Sequence, residues 1–190
     1  MGALADRTHG RWPWVAAAAA LPATLALAAR RERLREDLGW AFWAPLPVYF
    51  WHQTEEWVWP GGFLPWVNRD VLGSDDDEYP ITRTLGLVIN TGGGWALAAA
   101  GGVRGLRSPA LGAAVHAMLV ANAAFHVAQS ARFRRYTPGF ASAVLVLAPV
   151  GLAGLGAIAR RAGARPVLLG AAVGLGASAA QVEVLRRRVS

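Results

Sequence analysis

The chain has 190 residues, 54% hydrophobic and only 16% charged, with a mean hydropathy of +0.30; a soluble domain carries about 25% charged residues, so the composition points to a membrane protein. The net charge of +7 comes from 19 basic residues, all of them arginine. They fall between apolar segments rather than on one folded face, which argues against nucleic acid as a partner. No cysteine is present, so disulfides, thiolate nucleophiles, iron–sulfur clusters and Cys-ligated zinc are excluded.

Taken in order, the chain predicts an all-α bundle of about six membrane spans in one integral domain covering residues 1–190. Residues 1–11 are a short polar start containing His9, to which no role is given. Trp12 to Ala29 is long and apolar enough to span. Its basic start and small residues also fit a signal peptide, but an uncleaved first helix is the simpler reading given the spans that follow. The second span is read over 40–59, with Trp40 and Trp43 at one end and Trp57, Trp59 and Trp66 at the other, the aromatic belt of a helix crossing two interfaces. Pro45 and Pro47 predict a kink or unwinding just before His52. Residues 60–84 are read as the longest polar connection, with the acidic run Asp75-Asp76-Asp77-Glu78 as a solvated loop. A vestibule that attracts cations is the sharper alternative.

Four more spans follow, at 85–103, 109–130, 140–159 and 166–184. The third is interrupted by Gly92-Gly93-Gly94, and Pro109 suits the first turn of the fourth. Tyr136-Thr137-Pro138-Gly139 reads as a turn. Gly151, Gly154 and Gly156 in the fifth span, and the small residues of the sixth, let helices approach closely in lipid. Orientation stays open: ten arginines fall on the face holding both termini and nine on the other, which leaves the positive-inside rule nothing to separate.

The stretch His52-Gln53-Thr54-Glu55-Glu56 is costly at membrane depth, at least ~2.5–3.5 kcal/mol per charged group. On a helix His52 and Glu56 stand at i and i+4 with Glu55 at i+3, so all three share a face. Chain parity puts Asn90, Asn122 and His126 near the same interface, all six within roughly 5–12 Å of it at ~1.5 Å per residue. His116 sits about 15 Å deeper than His126 along its helix by the same rise. His52, Glu56 and His126 are a plausible ligand set for zinc or iron. The run can be set beside the inverted zinc-protease motif H-x-x-E-H, with Glu56 replacing the second histidine as ligand and Glu55 left as general base. Two adjacent carboxylates in low dielectric repel unless a cation or proton is near, which favours a metal or proton site over simple helix glue. Asn90 and Asn122 are supporting groups, and His116 a packed histidine that at most supports the site.

These residues, with Asn122-x-x-x-His126 and Tyr136-Thr137-Pro138-Gly139, resemble the HXXEE-domain family of small bacterial and archaeal membrane proteins over about residues 40–160. The resemblance implies that His52, Glu55, Glu56, Asn122 and His126 are signature positions. It also implies a place in a bacterial cell membrane and an enzymatic role without an assigned reaction. Intramembrane glutamate-dependent CAAX-type proteases also pair Glu with His and Asn, but they carry an arginine where this chain has Pro60. The leading expectation is a metal-dependent membrane enzyme, hydrolytic in type. It would act on a lipid-like or apolar small molecule among membrane lipids, with zinc or iron as cofactor. A small transporter or ion- or proton-binding protein, and a structural membrane protein locked by polar contacts, are the alternatives.

Overall fold

A computed structural model describes residues 10–36 and 38–187; His9, Arg7 and Arg188 lie outside them. Every regular element among the described residues is helical. Helix α1 spans Trp12–Ala29, α2 Arg31–Glu36, α3 Gly39–Trp43, α4 Pro45–Trp57, α5 Arg83–Leu87, α6 Ala96–Arg104, α7 Pro109–Phe133, α8 Ala148–Ala162 and α9 Ala164–Arg186. Among the described residues, four helices are long and apolar enough to cross a membrane: Trp12–Ala29, Pro109–Phe133, Phe140–Ala162 and Ala164–Val184.

The expected second and third spans do not join those four, for reasons legible in their residues. The second is divided at Ala44 into α3 and α4. Pro45 opens α4, where a missing N–H breaks no hydrogen bond within that helix. The expected kink before His52 is absent: the prolines break the ladder one helix earlier, and α4 runs unbroken through His52. Pro45 leaves the Ala41 carbonyl without its i+4 donor. The His116 ring nitrogen Nε2 takes that oxygen instead, so His116 joins α7 to α3 and stands apart from the polar cluster. The third stretch is helical from α5 to α6 through the π-helical turns Val88–Trp95, which carry Asn90 and the three glycines.

Small residues set the packing. Gly170 and Gly174 bring α9 onto the backbone of α7 at Ala110 and Ala114, where an added Cβ would strike carbonyl oxygens. Gly154 of α8 lies flat against the His116 ring, and Gly151 against Val120 and the His116 carbonyl. Gly156, grouped with them from the sequence, packs on no other helix.

The segment between α4 and α5 departs from the expected polar loop. Phe63–Pro65 and the π-helical Trp66–Val71 fold back over the end of α7. Leu64, Trp66, Val67 and Ile81 form a buried apolar cluster with Trp57 and Phe125 packed on it. Asn68, fully buried, ties the return: its amide donates to the carbonyls of Asp77 and Ile81, and its oxygen accepts from the Ile81 N–H. The acidic run is exposed, with Asp77 paired to Arg69 and Glu78 to Arg83. The sequence signal for this cap was its spacing of large apolar residues, masked by the polar tip that follows.

Candidate metal centre

His52 and Glu56 stand one turn apart on α4, as their spacing requires, and face α7. All of His52, Glu56 and His126 are buried, at 1%, 5% and 1% exposure. Glu56 Oε1 lies 3.5 Å from His52 Nε2 and 3.2 Å from His126 Nε2. One ligand atom from each of the three falls within 4.8 Å of the others. Zn–N and Zn–O bonds of ~2.0–2.1 Å imply ligand atoms about 3.3 Å apart in a tetrahedral site, so two of the three edges already have the right length.

His126 gives the sharper test. Neither of its ring nitrogens makes a hydrogen bond, although both are buried. Nε2 approaches the Glu56 carboxylate without aligning on it. A buried imidazole left this way costs about 1–3 kcal/mol. A cation between Nε2 and the carboxylate removes that cost for these two groups, though not for Nδ1, so the residues present fit a divalent ion. Aromatic rings hold the imidazole in place: Trp66 stacks on it at 6.1 Å between centroids and Phe125 meets it edge-on at 5.2 Å.

His52 is fixed from both sides. Its Nδ1 shares a 2.7 Å hydrogen bond with Ser142 Oγ. Asn122 Nδ2 lies 3.1 Å from Nε2. Ser142 Oγ also reaches the Gly139 carbonyl at 3.3 Å. Donation to that carbonyl leaves Oγ as acceptor, which places the His52 proton on Nδ1 and makes Nε2 the acceptor of the Asn122 amide. A partner of this kind on the far nitrogen is what orients a metal-binding histidine, and losing it typically costs 10–100-fold in metal affinity. Ser142→Ala is therefore expected to weaken metal binding about 10–100-fold and to cost about 1–3 kcal/mol of stability through the unpaired His52 Nδ1–H. Competition against a chelator of known affinity reads it, and unchanged affinity would dismiss the serine as an orienting group.

The expected base, Glu55, is placed differently from Glu56. Its Oε1 accepts from the Tyr136 hydroxyl at 2.5 Å and the Ala141 N–H at 2.9 Å, and its Oε2 from the Ser142 N–H at 2.6 Å. The carboxylate thus caps the N-terminus of the helix that begins at Phe140, where free N–H groups and the helix dipole favour an anion. Burial first, and then the Glu55 carboxylate beside it, raise the Tyr136 phenol above its ordinary range. Tyr136 therefore remains a neutral donor at working pH. Glu55 does not line the cavity described next; among the described residues Glu56 is the carboxylate that does.

That cavity, of about 230 Å³, lies against the centre and is bounded by α4, the helix running Arg83 to Arg104, α7, α9 and the folded cap. Glu56, Asn90, Asn122 and His126 are on its wall, and most of the rest is apolar. Asn90 is held by accepting from Gln53 Nε2 at 2.9 Å and donating to the Gly86 carbonyl at 2.8 Å. Gln53, fully buried, also accepts from Trp95 Nε1 at 2.6 Å.

Of the residues expected at the site, His52, Glu56, Asn122 and His126 come together. Asn90 shares their cavity, Glu55 stands one hydrogen bond behind His52 through Ser142, and His116 is elsewhere. Sequence reasoning missed Ser142 and Gln53, which carried no spacing signal, and took Gly139 only for a turn residue. Gly139 has a φ of +87° and lies against the imidazoles of both His52 and His126. Thr137 of the same turn is fully buried and bonds Ser130 of α7 at 2.6 Å. Three π-helical segments, Trp66–Val71, Val88–Trp95 and Ala143–Leu147, border the cluster, as such turns often do at functional sites.

Compared with known proteins, residues 43–153 match a family described as a protein of unknown function with HXXEE motif. No curated protein matches, and no solved structure matches.

Proposed function

Because this chain belongs to the family of proteins with the HXXEE motif, we propose that the motif's first and last residues, His52 and Glu56, hold a divalent metal together with His126 in an integral membrane hydrolase of the cell membrane. The carrying observation is the buried His126 imidazole with no hydrogen bond, 3.2 Å from a buried carboxylate. Zinc or ferrous iron suits two imidazoles and one carboxylate. Bound there, such an ion supplies Lewis acidity toward a carbonyl or a water of lowered pKa.

The protein's own groups do the rest. His52, Glu56 and His126 bind, and Ser142 holds the His52 ring; the Asn122 amide, which donates to Nε2 in this structure, is freed when that lone pair takes the metal. Glu56, the carboxylate on the cavity wall, presents its second oxygen toward a reacting water. Glu55 serves the centre by fixing the start of the Phe140 helix, and with it Ser142. This replaces the role of general base that the inverted-protease analogy gave it, because a base must reach the substrate. The apolar cavity excludes bulk water and suits an apolar or lipid-like substrate, with Asn90 and Asn122 as donors toward its polar group.

The test is metal analysis of detergent-purified protein loaded with zinc or ferrous iron, with turnover of an acyl p-nitrophenyl ester followed in parallel. One equivalent of metal is expected in the wild type and none in His52→Ala or His126→Ala, with ester hydrolysis abolished by chelator. Folded wild-type protein that takes up no metal sinks the reading.

A further inference from the structure

The shape of the cavity says more than that its ligand is apolar. Its polar lining includes Glu56, Asn122 and His126. Two of its walls are Ile89 and Gly93 on the Arg83–Arg104 helix and Ser178, Gln181 and Val182 on α9, with Met118 and Ala121 of α7 also lining it. On α9 the lining residues Gln181 and Val182 are exposed, Val182 at 48%, so the cavity reaches the surface of that helix. An opening there, on a helix long and apolar enough to cross a membrane, admits molecules from hydrocarbon rather than from water.

The two walls are kept apart by small side chains. A Cβ on Gly93 would meet no atom within 4 Å, so the glycine leaves open space that a larger residue would fill. Ser178 stands opposite with its hydroxyl turned back onto the Gly174 carbonyl at 3.0 Å. The volume is limited as well. A dry cavity of about 150 Å³ holds benzene; scaling from it, this cavity of about 230 Å³ takes on the order of nine non-hydrogen atoms. A two-chain phospholipid is several times too large to be enclosed.

We propose that the cavity is a chamber for one short-chain amphiphile, an oxygen-bearing head carrying a single alkyl chain, drawn sideways from the membrane, and that Gly93 and Ser178 set the chain length it accepts. The metal reading supplies the fate of the head; the occupancy of the chamber stands apart from it.

The probes are 2-alkanones from C5 to C15, which carry the head and cannot be hydrolysed, added to the full-length protein in nanodiscs. Saturable stabilisation is expected to peak near eight or nine carbons, with a shift in Tm on the order of 3 °C at ten times the Kd, from RT ln(1 + [L]/Kd). Gly93→Leu and Ser178→Leu, on opposite walls, should each move the peak to shorter chains or abolish it while metal content is unchanged. A shift that grows steadily to C15, or a peak indifferent to both substitutions, overturns the proposal. A peak in protein that takes up no metal overturns the metal reading alone, and metal uptake without any peak overturns this one alone.

Discussion

Gly139→Ala is expected to abolish metal binding, through a single added methyl group. An added Cβ would lie 2.6 Å from His126 Cε1 and 2.8 Å from His52 Cε1. Both are well inside van der Waals contact, and both rings are buried. The backbone adds its own penalty, since φ at this position is +87° and a non-glycine residue there costs about 1–3 kcal/mol. Gly73→Ala separates the two effects. Gly73 has a φ of +74° but open space around its Cβ position, so it carries the backbone cost alone. Metal content and Tm of both variants decide the matter. Gly73→Ala should lose some stability and keep its metal, and Gly139→Ala should lose both. Equal metal content in the two variants would mean that the imidazoles are not held against the glycine.

Glu56→Gln is expected to be the other severe change, and its signature lies in the response to chelator. In the wild type a carboxylate at 5% exposure is flanked by two buried imidazoles. Removing the ion leaves a buried charge with no aligned partner, a situation that costs several kcal/mol. Chelation should therefore lower the Tm of the wild type by on the order of 5–10 °C, taking about 2–4 °C per kcal/mol for a chain of this size. The amide is isosteric, neutral and a poor metal ligand. Glu56→Gln should bind no metal, and its Tm should not move with chelator. It should melt near or above the chelated wild type, because the uncompensated charge is gone. A variant still sensitive to chelator would place the metal on other residues.

How much of this was readable from the sequence differs by feature. The four long apolar helices were legible because length and hydropathy suffice to define them. The agreement in depth of His52, Glu56, Asn122 and His126 followed from chain parity and a fixed rise per residue. Rotation about the helix axis did not follow. Glu55 and Glu56 are adjacent in sequence, about 100° apart around α4, and that angle sends one to the cavity and the other to the start of the next helix. No spacing rule in a single chain says which neighbour each will meet. The cap over residues 63–71 was hidden because the polar tip that follows masks its apolar residues, and because Trp66 and Val67 sit in a π-helical turn, a period that pattern reading does not test. Ser142 was out of reach because a lone serine at the start of an apolar helix has no periodicity.

The bond between His116 and the Ala41 carbonyl links two choices made 71 positions apart in the chain. Proline at 45 withdraws a backbone donor, and histidine at 116 supplies a side-chain donor to the same oxygen. Each is a liability alone, the first leaving an acceptor stranded and the second a buried ring without purpose. Their inheritance is therefore coupled. A relative that restores an N–H at position 45 releases position 116 from being histidine, and the glycine at 154, which gives that ring its room, is released with it.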